Sequence, residues 1–566
     1  MLIYRRIILV LIIWLTLPYQ NIFSETAKSI TVDSVVVVCS DSLAAEAGIK
    51  ILKSGGNAID ALITVAFSLA VTYPRAGNIG GGGFIVYRDK NGKVITLDFR
   101  ETAPSLATHD MFLNKQGNPV DDKSQIGALA VGVPGTVRGL FEAQKMYGRL
   151  NWKDLLDPAI QFAKNGFTVD KYLHRTIKGE KENLNKFEET RKIFIPNGEL
   201  PKKGDTLYQS DLANTLESIA LYGDSIFYEG EIADKIVSTV HKYGGILTKE
   251  DFVNYKFVYR EPVVIDYRGY IIYSMPPPSS GGLVLDGILK TLQQVDLSQN
   301  YIQNSADYIA LITEIEKHWY ANRNLYLGDP DFIDIPIELF SSNDNAKNIL
   351  KNVSISHPFP SHQMSEYDQI LNKEKNETTH ISILDADGNA VAMTYTLNGS
   401  FGSFLVAEGT GILLNNEMDD FTVKPGFPNL YGLVQGWANA VEPGKRMLSS
   451  MTPTIVEKDD KVVGVLGTPG GSKIITSVLQ ILLDKIDFQM PLNECMEAGR
   501  FHQQWLPDTI YYENNKFSES VLSDLSRRGF KLKGIHQIGD IQAIWRYNLK
   551  WDAYSDQNGN GIAVGY

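Results

Sequence analysis

The chain has 566 residues, 43% of them apolar and 21% charged, with a formal charge of −12 and two cysteines. That composition supplies a large globular core and, by length alone, three or four domains of ordinary size. The acidic balance argues against nucleic acid as a partner, and Cys39 and Cys495 are too few for a disulfide framework, although the sequence leaves open whether they pair.

Arg5 and Arg6 precede an uninterrupted apolar run over residues 7–17, followed by polar residues and the small Ser24. This is the layout of a secretory leader over 1–24, and the run is shorter than the ~20 residues that span a bilayer. An exported protein, periplasmic or secreted, is expected, with tethering through an uncleaved leader as the lesser alternative.

Residues 34–39 read as a buried strand and 43–53 as a helix stopped by Gly55 and Gly56. Asn57 caps a second, almost uniformly apolar helix over 59–71. The four glycines at 80–83 lack the Gly-Lys-Ser/Thr of a phosphate loop and run straight into a strand at 84–87. They predict tight passage of backbone beside another segment. An Asn91-Gly92 turn leads to a strand over 94–99, and Arg100 stands at its end, either as a solvated rim residue or as a fork for a carboxylate.

Residues 140–338 are mostly helical, for example over 152–164, 211–222 and 306–325, and are interrupted by a strand pair with a rigid Pro/Gly turn at 263–282. Residues 341–377 are aperiodic and contain Pro358 and Pro360, which predicts a linker, and no metal site is assigned to His357 and His362 within it.

The stretch 376–396, NETTHISILDADGNAVAMTYT, reads as a hairpin. Residues 380–384 and 390–396 are β-branched and apolar, and Asp385 to Asn389 supply turn chemistry. A turn centred near Asp387 pairs residues that sum to about twice 387, which puts Thr378 opposite Thr396. Residues 373–377 are charged and read as an exposed loop. A cut between Glu377 and Thr378 would leave Thr378 with a hydroxyl and an α-amine titrating near ~7.7–8.0, so that one residue serves as nucleophile and base. The plainer alternative is that Thr378 merely opens a strand.

Downstream, Glu417, Asp419 and Asp420 fall within four residues, a spacing that does not by itself make a catalytic pair. The Gly/Pro-rich stretch 424–436 has the make-up of a lid, and Ser449 and Ser450 precede a strand. Gly470 and Gly471 join a strand to a helix with apolar residues at 474, 475, 478, 479 and 482. The backbone N–H groups of such a junction can hold an oxyanion, or form a plain strand-to-helix turn.

Together, GGNAIDA at 55–61, GNIGGGGF at 77–84, FRETAP at 99–104, VGVPGTVRG at 131–139 and PPPSSGG at 276–282 resemble the γ-glutamyltranspeptidase family of N-terminal nucleophile hydrolases. So do TTH at 378–380, TYTLN at 394–398, GILLNNEMDDF at 411–421, LSSM at 448–451, TPGGS at 468–472 and RFHQQWLPD at 500–508, and the resemblance covers nearly all of the chain after the leader. It implies an α+β fold, a four-layer αββα sandwich in which residues 25–377 and 378–566 share one core after a self-inflicted cut. The three or four domains suggested by length are then replaced by one.

The resemblance also implies roles. Thr378 attacks the Glu377 carbonyl and later the γ-glutamyl carbonyl of substrate, and Thr396 orients its hydroxyl. Arg100, Ser449 and Ser450 hold the α-carboxylate, and Asn398, Glu417 and Asp420 surround the α-amine. Gly470 and Gly471 form the oxyanion hole, and Tyr431 covers the pocket. Substrates are γ-glutamyl compounds such as glutathione, with water, amino acids or peptides as acceptors and no metal or organic cofactor. Two positions depart from common bacterial practice: Ile381 where tyrosine is frequent, and Glu417 where some members carry glutamine. The rival readings are a glutaryl-type β-lactam acylase of the same fold and an exported binding protein without catalysis; Asp420 and the 424–436 stretch favour the transpeptidase.

Overall fold

Strand Val36–Cys39 is apolar at every position, and its side chains divide between two cores. Val37 and Cys39 join Val35 in a cluster with helices, whereas Val36 and Val38 join a second cluster between two sheets. Successive strand residues face opposite ways, so a strand without polar positions has to be covered on both faces. The computed structural model describes residues 25–120, 122–365, 367, 378–557 and 559–566. The expected leader, the charged loop 373–377 and hence Glu377 lie outside the described residues.

Eight antiparallel strands form the first sheet, in the order Glu25–Ala27, Ile562–Gly565, Val36–Cys39, Thr379–Leu384, Ala390–Thr396, Gly82–Arg88, Val94–Asp98 and Val258–Arg260. Seven form the second: Ser29–Val32, Lys550–Ser555, Gln542–Tyr547, Lys461–Gly467, Thr454–Lys458, Tyr270–Ser274 and Val263–Tyr267. Leu384, Ala390 and Ala392 of the first sheet meet Ile455, Val465 and Ile544 of the second in the inner layer. Helices Ser42–Lys53 and Ala58–Thr72 cover the outer face of the first sheet, and Gly281–Leu292, Ala306–Tyr326 and Ile474–Ile486 that of the second. The architecture is therefore an αββα sandwich with three apolar layers. Segments from both sides of position 377 interleave in each sheet.

The expected helices fall within one or two residues of those observed, and Asn57 caps Ala58–Thr72 in a capping box with Asp60, an arrangement that stabilises a helix by about 1 kcal/mol. The hairpin register is as expected: Thr379 pairs with Tyr395 and Leu384 with Ala390. The glycine run is a close passage of backbone. A Cβ at Gly80 would lie 2.2 Å from the Leu413 carbonyl oxygen, and one at Gly81 would lie 2.2 Å from that of Thr396.

One sequence expectation changes, and the open question of the cysteines is answered. The linker over 341–377 contains helix Asn343–Asn352, capped by the Ser342 hydroxyl and held by buried Ala346 and Ile349. Two apolar anchors in a polar stretch make too weak a periodicity to register in the sequence. Cys39 and Cys495 are buried free thiols in different clusters, Cys39 against the first sheet's helices and Cys495 on the outer side of the second.

Candidate active site

The hairpin places two threonines side by side. Thr378 immediately precedes strand Thr379–Leu384, Thr396 ends Ala390–Thr396, and extending the register by one step sets them opposite each other. Both are buried. The Asn398 amide donates to Thr396 Oγ1 at 2.8 Å, in a turn where Asn398 takes φ +78°, and the Asn398 side chain donates to the Asn416 carbonyl at 3.0 Å. Asparagine is among the few residues that tolerate this left-handed backbone.

Facing the threonines is the junction between strand Lys461–Gly467 and helix Ile474–Ile486, which passes through a 3-10 turn at Gly471–Lys473. Gly470 and Gly471 have φ of +143° and +58°, conformations that a side chain disfavours. At Gly471 there is also no room: a Cβ would lie 2.2 Å from the Tyr431 ring. Tyr431 is thus laid flat on the glycine turn, and its hydroxyl donates to the Asn398 carbonyl at 2.7 Å. The 424–436 stretch closes over the site. Asp419 holds it there, accepting from the Leu430 amide at 2.7 Å and from the Ser124 hydroxyl at 2.5 Å.

Arg100 is fully buried at the floor of the same site. Its Nη2 lies 2.5 Å from Asp420 Oδ2, and its Nη1 lies 2.6 Å from Glu417 Oε2 and 3.5 Å from Glu101 Oε2. Three carboxyls around one guanidinium cannot all ionise cheaply. Burial pushes Glu101 up to about 8 and Glu417 and Asp420 above the usual carboxylate range, Glu417 most clearly, while Arg100 pulls in the opposite direction. At neutral pH the cluster therefore retains protons.

Thr378, Thr396, Asn398, Arg100, Asp420, Ser449, Ser450, Tyr431 and Gly471 share the wall of one small cavity of about 20 Å³. The gamma-glutamyltranspeptidase family model matches residues 44–566, which takes in every one of these positions. The chain belongs to that family. It is 48% identical over 510 residues to the glutathione hydrolase proenzyme of Escherichia coli K12, covering 90% of this chain and 87% of that protein. It is also 42% identical to the glutathione hydrolase proenzyme of a Pseudomonas species, with 96% of each covered.

Among solved structures, the cephalosporin acylase of Bacillus halodurans superposes with a TM-score of 0.83 at 27% identity, over 97% of this chain and 99% of that one. The gamma-glutamyltranspeptidase of Helicobacter pylori matches with a TM-score of 0.56 at 42% identity, covering 59% of this chain and 97% of that chain.

Within this transpeptidase-family chain, nine of the eleven residues singled out in the sequence meet at one cavity. Glu417 stands behind Arg100, fully buried and off the cavity wall. Gly470 faces a second cavity, of about 380 Å³, which Thr378 also reaches. Thr378 thus lines both a small cavity and a larger one. The second chamber is walled by Tyr73, Tyr172 and Tyr511, each with a cation on its ring: Arg75 at 5.7 Å, Arg175 at 5.6 Å and Lys533 at 5.3 Å respectively.

The sequence reading missed Arg323. It lines the smaller cavity from helix Ala306–Tyr326, donating to Ser450 Oγ at 3.0 Å. The signal was a polar stripe, Glu316, Tyr320 and Arg323 at i, i+4 and i+7, on a helix whose remaining faces are largely apolar and buried.

Proposed function

We propose that this chain is an exported, self-cleaving γ-glutamyltranspeptidase and glutathione hydrolase. The observation that carries the reading is the position of Thr378 at the head of a central strand, between two cavities and facing the Gly470–Gly471 turn. Its hydroxyl first attacks the carbonyl of Glu377, and the ester formed is hydrolysed. The cut leaves residues 25–377 and 378–566 as two chains in one interleaved core, with the leader 1–24 removed.

The freed α-amine of Thr378 then acts as the base. It takes the proton of the hydroxyl as Oγ attacks the γ-carbonyl carbon of a glutamyl donor, and Thr396 orients that hydroxyl. The backbone N–H groups of Gly470 and Gly471 hold the developing oxyanion. The C–N bond breaks, the amine leaves with a proton, and a glutamyl-threonine ester remains. Water, an amino acid or a peptide adds to the ester carbonyl and regenerates Thr378.

The smaller cavity has a lining that suits the glutamyl head. Arg100, Ser449 and Ser450 take the α-carboxylate, Asp420 and Asn398 the α-amine with Glu417 behind them, and Tyr431 roofs the chamber. A zwitterion held at both ends fixes its γ-carbonyl over the nucleophile. The larger cavity, with its three Tyr–cation walls, suits the departing amine compound and the incoming acceptor, both of which carry carboxylates when they are amino acids or peptides. The likeness to a cephalosporin acylase extends over the same fold, but the carboxylate cluster at Arg100 provides for an amine that a glutaryl group lacks.

Purified protein should run as two bands on a denaturing gel and release p-nitroaniline from γ-glutamyl-p-nitroanilide. Thr378→Ala should leave one uncut band and abolish release. A wild-type protein that stays uncut and inert would refute the proposal.

A further inference from the structure

Helix Ala306–Tyr326 presents Glu316, Tyr320 and Arg323 along one face to the loops that build the smaller cavity. Glu316 accepts from the Gln503 amide at 3.0 Å, next to Gln504, whose side chain donates to the Tyr431 carbonyl at 3.2 Å. The Tyr320 hydroxyl donates to the Ser472 carbonyl beside the glycine turn. Arg323 reaches the serine turn. Nε donates to Ser280 Oγ at 3.0 Å, Nη1 to Asn324 Oδ1 at 2.8 Å and to Gln435 Oε1 at 3.1 Å, and Nη2 to Ser450 Oγ at 3.0 Å.

The surroundings of Arg323 are unlike those of Arg100. Its side chain is 1% exposed, and all four of its acceptors are neutral oxygens. Among the described residues no carboxylate makes a salt bridge with it. Burial without such a partner draws its pKa down to about 10, so it remains a cation at neutral pH. Arg100, in contrast, already faces Glu101, Glu417 and Asp420. A substrate carboxylate approaching Arg100 also approaches Asp420, and like charges in a buried site repel strongly. Arg323 lies within electrostatic reach of Asp420 and lines the same cavity.

A serine hydroxyl has one proton and two lone pairs. Arg323 fills a lone pair of Ser450, and Ser280, which Arg323 also holds, donates to the Ser449 carbonyl at 2.7 Å. Among the described residues the Ser450 hydroxyl donates to none, so its proton remains for the cavity.

We propose that Arg323 is a positioning residue of the glutamyl site: it fixes Ser450 as a hydrogen-bond donor to the α-carboxylate and supplies a second positive charge beside that of Arg100. The inference rests on the reading of the chain as a γ-glutamyl-transferring enzyme.

The test is the ratio of kcat/KM for γ-glutamyl-p-nitroanilide to that for 4-aminobutanoyl-p-nitroanilide, which keeps the amine and lacks only the α-carboxylate. Arg323→Gln should lower this ratio roughly 10- to 100-fold, the size of a hydrogen bond to a charged group, mainly through KM of the glutamyl donor. Arg323→Lys keeps the charge but cannot reach Ser280, Gln435 and Ser450 together, so it should lower the ratio as well, and it carries the test if the Gln variant does not fold.

Because Arg323 acts through Ser450, adding Arg323→Lys to Ser450→Ala should lower the ratio by less than the product of the single effects. A self-cleaved Arg323→Lys protein with the wild-type ratio, or full additivity with Ser450→Ala, would overturn the inference. A wild-type protein that releases no p-nitroaniline at all would instead overturn the enzyme reading on which it rests.

Discussion

The hydroxyl of Tyr431 donates a 2.7 Å hydrogen bond to the carbonyl of Asn398, while the Tyr431 ring covers Gly471. The roof of the cavity is thereby fastened to the turn that follows Thr396. Tyr431→Phe keeps the ring and removes the fastening, which is worth about 0.5–1.5 kcal/mol. KM for γ-glutamyl donors should rise about two- to tenfold with the two-band pattern intact; an unchanged KM would show that the roof is held by packing alone.

Gly81 backs the strand that ends at Thr396. A Cβ there would lie 2.2 Å from the Thr396 carbonyl oxygen and 2.9 Å from Asn78 Oδ1. Backbone has to move to admit it, and overpacking of this kind costs about 1–3 kcal/mol. Gly81→Ala should lower the urea midpoint and slow self-cleavage together, since the displaced group carries Thr396. Normal cleavage in a destabilised protein would separate the two effects and refute the coupling.

The carboxyls around Arg100 should differ in their response to neutralisation. Glu417 lies off the cavity wall, and burial raises its pKa well above the usual range. Glu417→Gln gives up a charge that burial already disfavours and should keep kcat/KM within about threefold. Asp420 lines the cavity and is paired to Arg100 at 2.5 Å, so Asp420→Asn should cost at least about 3 kcal/mol, the penalty for breaking a buried pair, in transition-state stabilisation. Steady-state kinetics of the two variants at pH 7 decides; equal losses would contradict this difference.

His380, two residues after Thr378, is fully buried between Thr394 Oγ1 at 2.7 Å and Ser382 Oγ at 3.1 Å, and burial lowers its pKa from 6.5 to about 3. A group depressed in the folded state binds its proton more readily when unfolded. Its stability contribution is complete above pH 6.5 and declines as pH falls toward 3, by about 1.4 kcal/mol per unit. The stability gap between wild type and His380→Gln should therefore narrow between pH 6.5 and 4. Urea titrations at three pH values measure it, and a constant gap would mean that His380 is not the titrating group.

The larger cavity yields a prediction about acceptors. With Arg75, Arg175 and Lys533 on its walls, it should favour a free carboxylate. Capping glycylglycine as its C-terminal amide should raise the acceptor KM about tenfold, the order of one charge-assisted contact. Equal KM values would place the acceptor elsewhere.

The hairpin was legible in the sequence because turn position and strand alternation fix register, so Thr378 and Thr396 could be paired by arithmetic. The glycine run was legible because its neighbours ruled out a phosphate loop. Arg323 was not, since its importance lies in the neutral company it keeps, and that company is drawn from residues 280, 435 and 450. The protonation of the Arg100 cluster was equally hidden. Glu101, Glu417 and Asp420 converge on one guanidinium only after the chain has folded. Helix Asn343–Asn352 was missed because two apolar side chains suffice to dock it.

Strand Ile562–Gly565 lies between Glu25–Ala27 and Val36–Cys39, and Val36–Cys39 in turn flanks the strand that Thr378 leads. The strand that Thr378 leads is thus flanked, one strand away, by chain that follows Thr378 by more than 180 residues. A nascent polypeptide halted short of residue 562 leaves Val36–Cys39 with a bare edge and no finished sheet to hold Thr378 taut. If the chain cuts itself at Thr378 as proposed, the cut would await the last strand, and the two pieces would share interleaved sheets.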